Sequence, residues 1–176
     1  TLARHLLDQL GLAIADAGQR ALAAAIIEQL DDAGYLTVPL GELAAAQQVS
    51  LAEAEAALEA VQQLDPTGVG ARTLGECIAL QAREADRLDP AMARLLDNLD
   101  LVARGEFARL RRMCGVDEED LADMLAELRG YDPKPGLRFA SGGGEPVTPD
   151  ILISPADDGG WLISLNQATL PRLIVN

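Results

Sequence analysis

Residues 62–81 read QQLDPTGVGARTLGECIALQ, and this stretch decides the fold. Upstream of it, Ala54, Leu58, Val61 and Leu64 recur at helical spacing, so a helix with one apolar stripe runs into it. Ser50 and Glu53, three apart, make a capping box at the start of that helix. Pro66, Gly68 and Gly70 then break the helix. Thr73 and Glu76 repeat the capping-box spacing, and Leu74, Ile78 and Ala82 resume the stripe. The stretch is a helix, a tight turn and a second helix.

Outward from the turn, the pattern stays helical on both sides. Leu2, Leu6, Leu7 and Leu10 predict a helix over 2–15. Asp16 caps the next, whose stripe is Leu22, Ile26 and Leu30 and which Gly34 ends as a left-handed cap. A short helix covers Leu40 to Gln48. Downstream, Asp89-Pro90 starts a helix carrying Met92, Leu95, Leu96, Leu99 and Val102 on one face, with Gly105 at its end. Phe107, Leu110 and Met113 mark a short helix. Asp117 caps the last one, with Leu121, Leu125 and Leu128 facing inward and Gly130 closing it. The composition changes after that: DPKPG at 132–136 and SGGGEP at 141–146 break helices, and Ile151-Leu152-Ile153 and Trp161-Leu162-Ile163 flank Asp157-Asp158-Gly159-Gly160 as a β-hairpin would.

The expected architecture is mainly α. A helix bundle spans 1–85, a three-helix, helix-turn-helix-like bundle spans 86–130, and a loop-rich segment with a small β-hairpin spans 131–176. Of the 176 residues, 30 are Ala and 30 Leu, which favours helix over sheet. Thr1 starts inside a helical pattern and the chain stops in the apolar run Leu173-Ile174-Val175-Asn176, so it reads as a piece of something longer.

Composition excludes several functions. Five aromatics (Tyr35, Phe107, Tyr131, Phe139 and Trp161) are too few for a base-stacking platform. A net charge of −14, from 14 basic and 28 acidic residues, repels phosphate over most of the surface. Two segments have helix-turn-helix shape, 42–61 and 107–128. Their second helices carry Glu53, Glu55 and Glu59, or Glu118, Glu119, Asp120, Asp123 and Glu127, which would face phosphate in a DNA groove. Both read as helix hairpins within a bundle.

Gly68-Val69-Gly70 lacks the preceding strand and the third glycine of a dinucleotide loop, and no Gly-Lys-Ser/Thr follows for a P-loop. Cys77 and Cys114 form no metal or redox spacing and read as buried free thiols of a cytoplasmic protein. His5, the sole histidine, reads as a partly exposed helix residue. No catalytic arrangement, cofactor or metal site is indicated. The one basic cluster is Arg104, Arg109, Arg111 and Arg112, with Glu106 the only acid among residues 104–112, a candidate docking patch for an acidic surface.

The central stretch resembles the signature of the core-binding region of sigma-54, the bacterial alternative sigma factor. The matching residues are Gln62, Asp65, Pro66, Gly68, Val69, Gly70, Ala71, Arg72, Leu74, Glu76, Cys77, Leu80 and Gln81. Other pieces resemble the family in order: Asp32, Gly34, Tyr35 and Leu36; Pro133-Lys134-Pro135-Gly136; and Pro149-Asp150, Trp161, Leu165-Asn166, Pro171 and Leu173. Ala33 stands where the family has a polar residue, Leu64 where it has Phe, and residues 86–120 match in pattern alone.

The resemblance implies a non-catalytic sigma subunit whose two helical subdomains bind core RNA polymerase, chiefly the β-subunit flap. In full length it implies recognition of −24/−12 promoter DNA and dependence on an ATP-hydrolysing AAA+ activator, through regions outside this chain. Residues 65–72 would be a structural joint, Arg72 either a polymerase contact or a helix cap, and Arg104, Arg109, Arg111 and Arg112 would lie near the polymerase interface or the DNA path. The competing readings are a helical adaptor unrelated to polymerase and an enzyme with a carboxylate site.

Overall fold

The computed structural model describes residues 1–140 and the backbone of residues 151–155 and 161–165. Among the described residues the helices are α1 (Leu2–Ala13), α2 (Ala17–Ile27), α3 (Leu40–Ala46), α4 (Leu51–Gln62), α5 (Leu74–Glu84), α6 (Pro90–Leu96), α7 (Leu99–Ala103), α8 (Phe107–Cys114) and α9 (Glu118–Leu128). A 3₁₀ turn, Pro135–Phe139, follows. None of these helices is long and apolar enough to cross a membrane.

Most helix starts follow from their caps. The side chains of Asp16, Ser50, Thr73, Asp89 and Asp117 each accept a backbone N–H from the first turn of the helix that follows. Ser50 and Glu53 complete the reciprocal box, since Glu53 also accepts the Ser50 N–H at 2.8 Å. At Thr73 only half the box forms. Glu76 bypasses the Thr73 backbone and accepts the Arg72 N–H instead, at 2.8 Å.

Two apolar cores fill the described part. The first gathers Leu6 and Leu10 from α1, Ile26 and Ile27 from α2, Leu43 from α3, Leu58 and Val61 from α4, and Val69 from the turn. In it α4 packs on α1, α2 and α3. The second gathers Ile78 of α5, Met92, Leu95 and Leu96 of α6, Leu101 of α7, Leu110 and Cys114 of α8, and Leu121 of α9. Each buried Leu or Ile is worth roughly 1.5–3 kcal/mol of transfer free energy.

Three expectations are corrected. Helix α2 stops at Ile27, not at Gly34: the Gln29 and Leu30 N–H groups turn back to Ile26 and Ile27, and Leu30 pairs with Leu36 as a short antiparallel bridge. Gly34, at φ +96°, instead closes the tight turn over 31–35. The helix expected from Asp89 to Val102 is split at Asn98, whose φ of −127° leaves the helical region and whose side-chain amide donates to the Arg94 carbonyl at 2.7 Å. The helices between residues 86 and 130 are thus α6, α7, α8 and α9. Leu74 lies exposed at the start of α5, which buries Cys77, Ile78 and Ala82.

Ile78 of α5 belongs to the second core. Pro135 and Gly136 are buried, and Phe139 packs against the first core.

Residues Thr1–Ser141 form one compact unit and Gly142–Asn176 a second. In the second, Ile151–Pro155 (β1) and Trp161–Leu165 (β2) pair antiparallel, Ile151 opposite Leu165 and Pro155 opposite Trp161. The expected turn at Asp157–Gly160 lies outside the described residues, as do Pro149, Asp150, Asn166, Pro171 and Leu173.

Candidate functional site

The turn at 65–72 is the hub of the described structure. Gly68, at φ +103°, and Gly70, at φ +73°, adopt a backbone that side-chain-bearing residues rarely take. Gly68 also has no room for a Cβ, which would stand 2.9 Å from both Cys77 Sγ and Gln81 Nε2. Pro66, Val69 and Ala71 are buried, whereas Asp65 and Arg72 are exposed. The Asp65–Pro66 peptide bond is cis.

Four segments reach into this hub. From α1, the Gln9 amide clamps the Asp65 backbone, donating to its carbonyl at 2.6 Å and accepting its N–H at 2.9 Å. His5 Nε2 lies 3.4 Å from the Asp65 carboxylate. From the loop after α2, Gly34 accepts the Gly70 N–H at 2.8 Å, and Leu36 donates to Ala71 at 3.0 Å, a parallel bridge across the turn. From the end of α4, the Gln62 amide donates to the Gly70 carbonyl at 3.1 Å and to Glu76 at 3.0 Å. From α5, Gln81 clamps Asp132 in the same way that Gln9 clamps Asp65, donating at 2.7 Å and accepting at 2.9 Å.

Glu76 is the electrostatic centre. Arg72 donates to it from Nε at 3.0 Å, from Nη2 at 2.8 Å and from its backbone N–H. Burial opposes the charge on Glu76, but the hydrogen bonds from Arg72 and Gln62 outweigh it and hold the carboxyl below the ordinary glutamate range. The same bonds raise Arg72 against partial burial. Arg72 is therefore the partner of its own helix start. Burial pushes the Cys77 thiol up. Cys114 is likewise buried, free and raised by burial.

The Pro133-Lys134-Pro135-Gly136 motif is drawn onto the same hub. Tyr35 Oη donates to the Pro133 carbonyl at 2.6 Å, and the Gly136 N–H donates to Ala33 at 2.9 Å. Residues 33–36 thus bond both the turn, through Gly34 and Leu36, and the motif, through Ala33 and Tyr35. Lys134 itself is exposed, and its N–H is held by Asp132 at 2.9 Å.

The basic cluster lies elsewhere, on α7 and α8. Arg104 faces Asp100 at 4.0 Å, Arg109 faces Glu106 at 3.5 Å, and Arg111 faces Glu118 at 3.1 Å. Arg112 makes no ion pair among the described residues. Such exposed pairs are weak and readily exchanged for a partner's carboxylates. Phe107 and Met113 are exposed on the same helix, so the arginines are interleaved with apolar surface. Arg111 and Arg112 also line a shallow depression with Ala108, Gly115 and Val116. A broad groove of about 770 Å³ runs between α4 and α5, bordered by Glu55, Glu59, Gln62, Arg72, Arg83 and Glu84.

The sequence singles out residues 65–72 and the arginines but not the roles of Gln9, His5, Tyr35 and Phe139. His5 stacks on Phe139 with ring centroids 4.4 Å apart, besides facing Asp65. The signal that could have found this set is the Pro-Gly pair at 135–136 inside a motif, since a Pro-Gly that must be buried implies a surface to receive it.

The model of the family described as sigma-54 factor, core binding domain, matches residues 1–176. The RNA polymerase sigma-54 factor of Rhizobium meliloti is 51% identical over the whole chain, which covers 34% of that protein. That of Rhizobium etli is 50% identical over the same span, also 34% of its length. That of Caulobacter vibrioides is 42% identical and is covered to 35%. The chain spans about a third of the length of these curated relatives.

Proposed function

The chain belongs to the sigma-54 factor core-binding-domain family, and on that premise we propose that it is the part of such a factor that docks on core RNA polymerase. The observation that carries this reading is the match of that domain along all 176 residues. The physics supports it. The acidic second helices of both helix hairpins are unsuited to a DNA groove, which favours a protein surface as the partner. The chain works in the cytoplasm as a non-catalytic subunit, with no cofactor of its own. Promoter recognition and response to an ATP-hydrolysing activator belong to other parts of the complete factor.

Two elements are proposed for docking. Arg104, Arg109, Arg111 and Arg112, interleaved with Phe107 and Met113, offer an acidic polymerase surface both charge and apolar contact. Arg72 serves the joint first and a partner only through its exposed edge. The test is fluorescence anisotropy of the labelled chain titrated with purified core polymerase, beside an Arg109→Glu/Arg111→Glu/Arg112→Glu variant. Wild-type binding with at least about tenfold weaker binding by the variant is expected, as removing rim charges acts through association rate and salt dependence. Equal binding by both would remove the arginines from the interface. Absence of wild-type binding would overturn the reading itself.

A further inference from the structure

We infer that residues 131–139 are a strap that fixes the orientation of the second helical core against the first, latched where Gly136 packs on the backbone of residues 32–34. Among the described residues the principal helix packings all lie within one core. They join α1, α2, α3 and α4 on one side and α5, α6, α7 and α8 on the other. The 3₁₀ turn Pro135–Phe139 packs on α1 in the first core, and the residues just before it reach the second.

The strap is anchored at both ends and stitched between them. Tyr131 packs on the second core and donates to Glu127 at 2.7 Å, itself paired with Arg87 at 3.0 Å. Phe139 packs on the first core and against His5. Between them Gln81 holds the Asp132 backbone, Tyr35 holds the Pro133 carbonyl, and Ala33 accepts the Gly136 N–H. The Asp132 carboxylate fixes the shape of the strap through the Lys134 N–H and the Arg138 guanidinium, 3.0 Å away.

The latch tolerates glycine alone. A Cβ on Gly136 would stand 2.6 Å from the Asp32 carbonyl oxygen, 2.7 Å from the Ala33 carbonyl carbon and 2.8 Å from the Gly34 nitrogen. All three are backbone atoms of a tight turn, so none can swing aside. The strap must lift instead.

On the proposed function, a strap of this kind holds the α8 arginines at a set distance from the first core. A partner that touches both then binds them as one bivalent surface. The experiment is NMR of the 176-residue chain, in which residual dipolar couplings report the orientation of each core. In the wild type one alignment tensor fits both cores. In Gly136→Ala each core keeps its own slow-exchanging amides, but the two need separate tensors. A single shared tensor in a folded Gly136→Ala chain would overturn the strap.

If Gly136→Ala fails to fold, Tyr35→Phe/Gln81→Ala adds no atoms and removes three strap bonds. The Asp132 and Gly136 amides should then exchange at least about tenfold faster, since each bond is worth about a factor of five. Unchanged exchange at those two amides would overturn the strap. Core-polymerase affinity of the same variants separates the two ideas: freed cores with undiminished affinity would overturn the positioning role, whereas absence of wild-type binding would overturn the proposed function and leave the strap standing.

Discussion

Replacing Gly68 by Ala should be among the most costly single methyl additions in this chain. The backbone there sits at φ +103°, and forcing a side chain into left-handed conformation costs about 1–2 kcal/mol. The new Cβ would meet Cys77 Sγ and Gln81 Nε2, each at 2.9 Å. Cys77 is fully buried, so overpacking against it adds about 1–3 kcal/mol. Moving Gln81 breaks its two bonds to Asp132, a further loss of about 2 kcal/mol. The sum, about 4–7 kcal/mol, takes much of the roughly 5–15 kcal/mol that holds a domain together. Urea unfolding followed by circular dichroism would measure it, and the melting temperature should fall by at least about 10 °C. Gly68→Val should be worse, since a branched side chain cannot adopt that backbone. A loss below about 1 kcal/mol in Gly68→Ala would refute the reasoning about the joint.

Gly11 offers the opposite case. It lies inside α1 with nothing within 4 Å of the point where a Cβ would stand, so Gly11→Ala should stabilise by about 0.5–1 kcal/mol in the same urea assay. Ser50→Ala should cost about 1 kcal/mol by removing the box at the start of α4. Glu76 carries a pH signature. Its folded pKa lies below the ordinary value, so its contribution is present above the unfolded pKa of about 4.3 and is lost as pH falls through the folded value. Glu76→Gln should cost about 1 kcal/mol at neutral pH, discounted because Arg72 is half exposed, and should flatten the acid limb of a stability–pH curve measured between pH 3 and 6.

The parts of the fold that could be read in the sequence are those governed by neighbours. Asp16, Ser50, Asp89 and Asp117 declared their helices because a cap and the N–H it satisfies lie within three residues. The split at Asn98 was hidden because Leu95, Leu96, Leu99 and Val102 keep helical spacing through the break. Gly34 misled for a related reason: a left-handed glycine ends a helix or closes a turn with equal ease, and the bridge from Leu30 to Leu36 chose the turn.

The candidate site was legible as a string but not as a hub. Asp65 to Arg72 stood out, yet Gln9 clamps Asp65 from 56 residues away and Tyr35 reaches Pro133 across 98. No periodicity encodes pairings of that separation. The burial of Pro135 and Gly136 was hidden for the same reason, because proline and glycine announce a broken helix and say nothing of the surface they are buried against.

On the proposed function, this chain docks on core RNA polymerase. The most direct measurement is equilibrium binding of the 176-residue chain to purified core enzyme with a full-length housekeeping sigma factor as competitor. Submicromolar binding that the competitor displaces is the expected result. A chain that circular dichroism shows to be folded, yet fails to bind core enzyme at micromolar concentration, would contradict the claim.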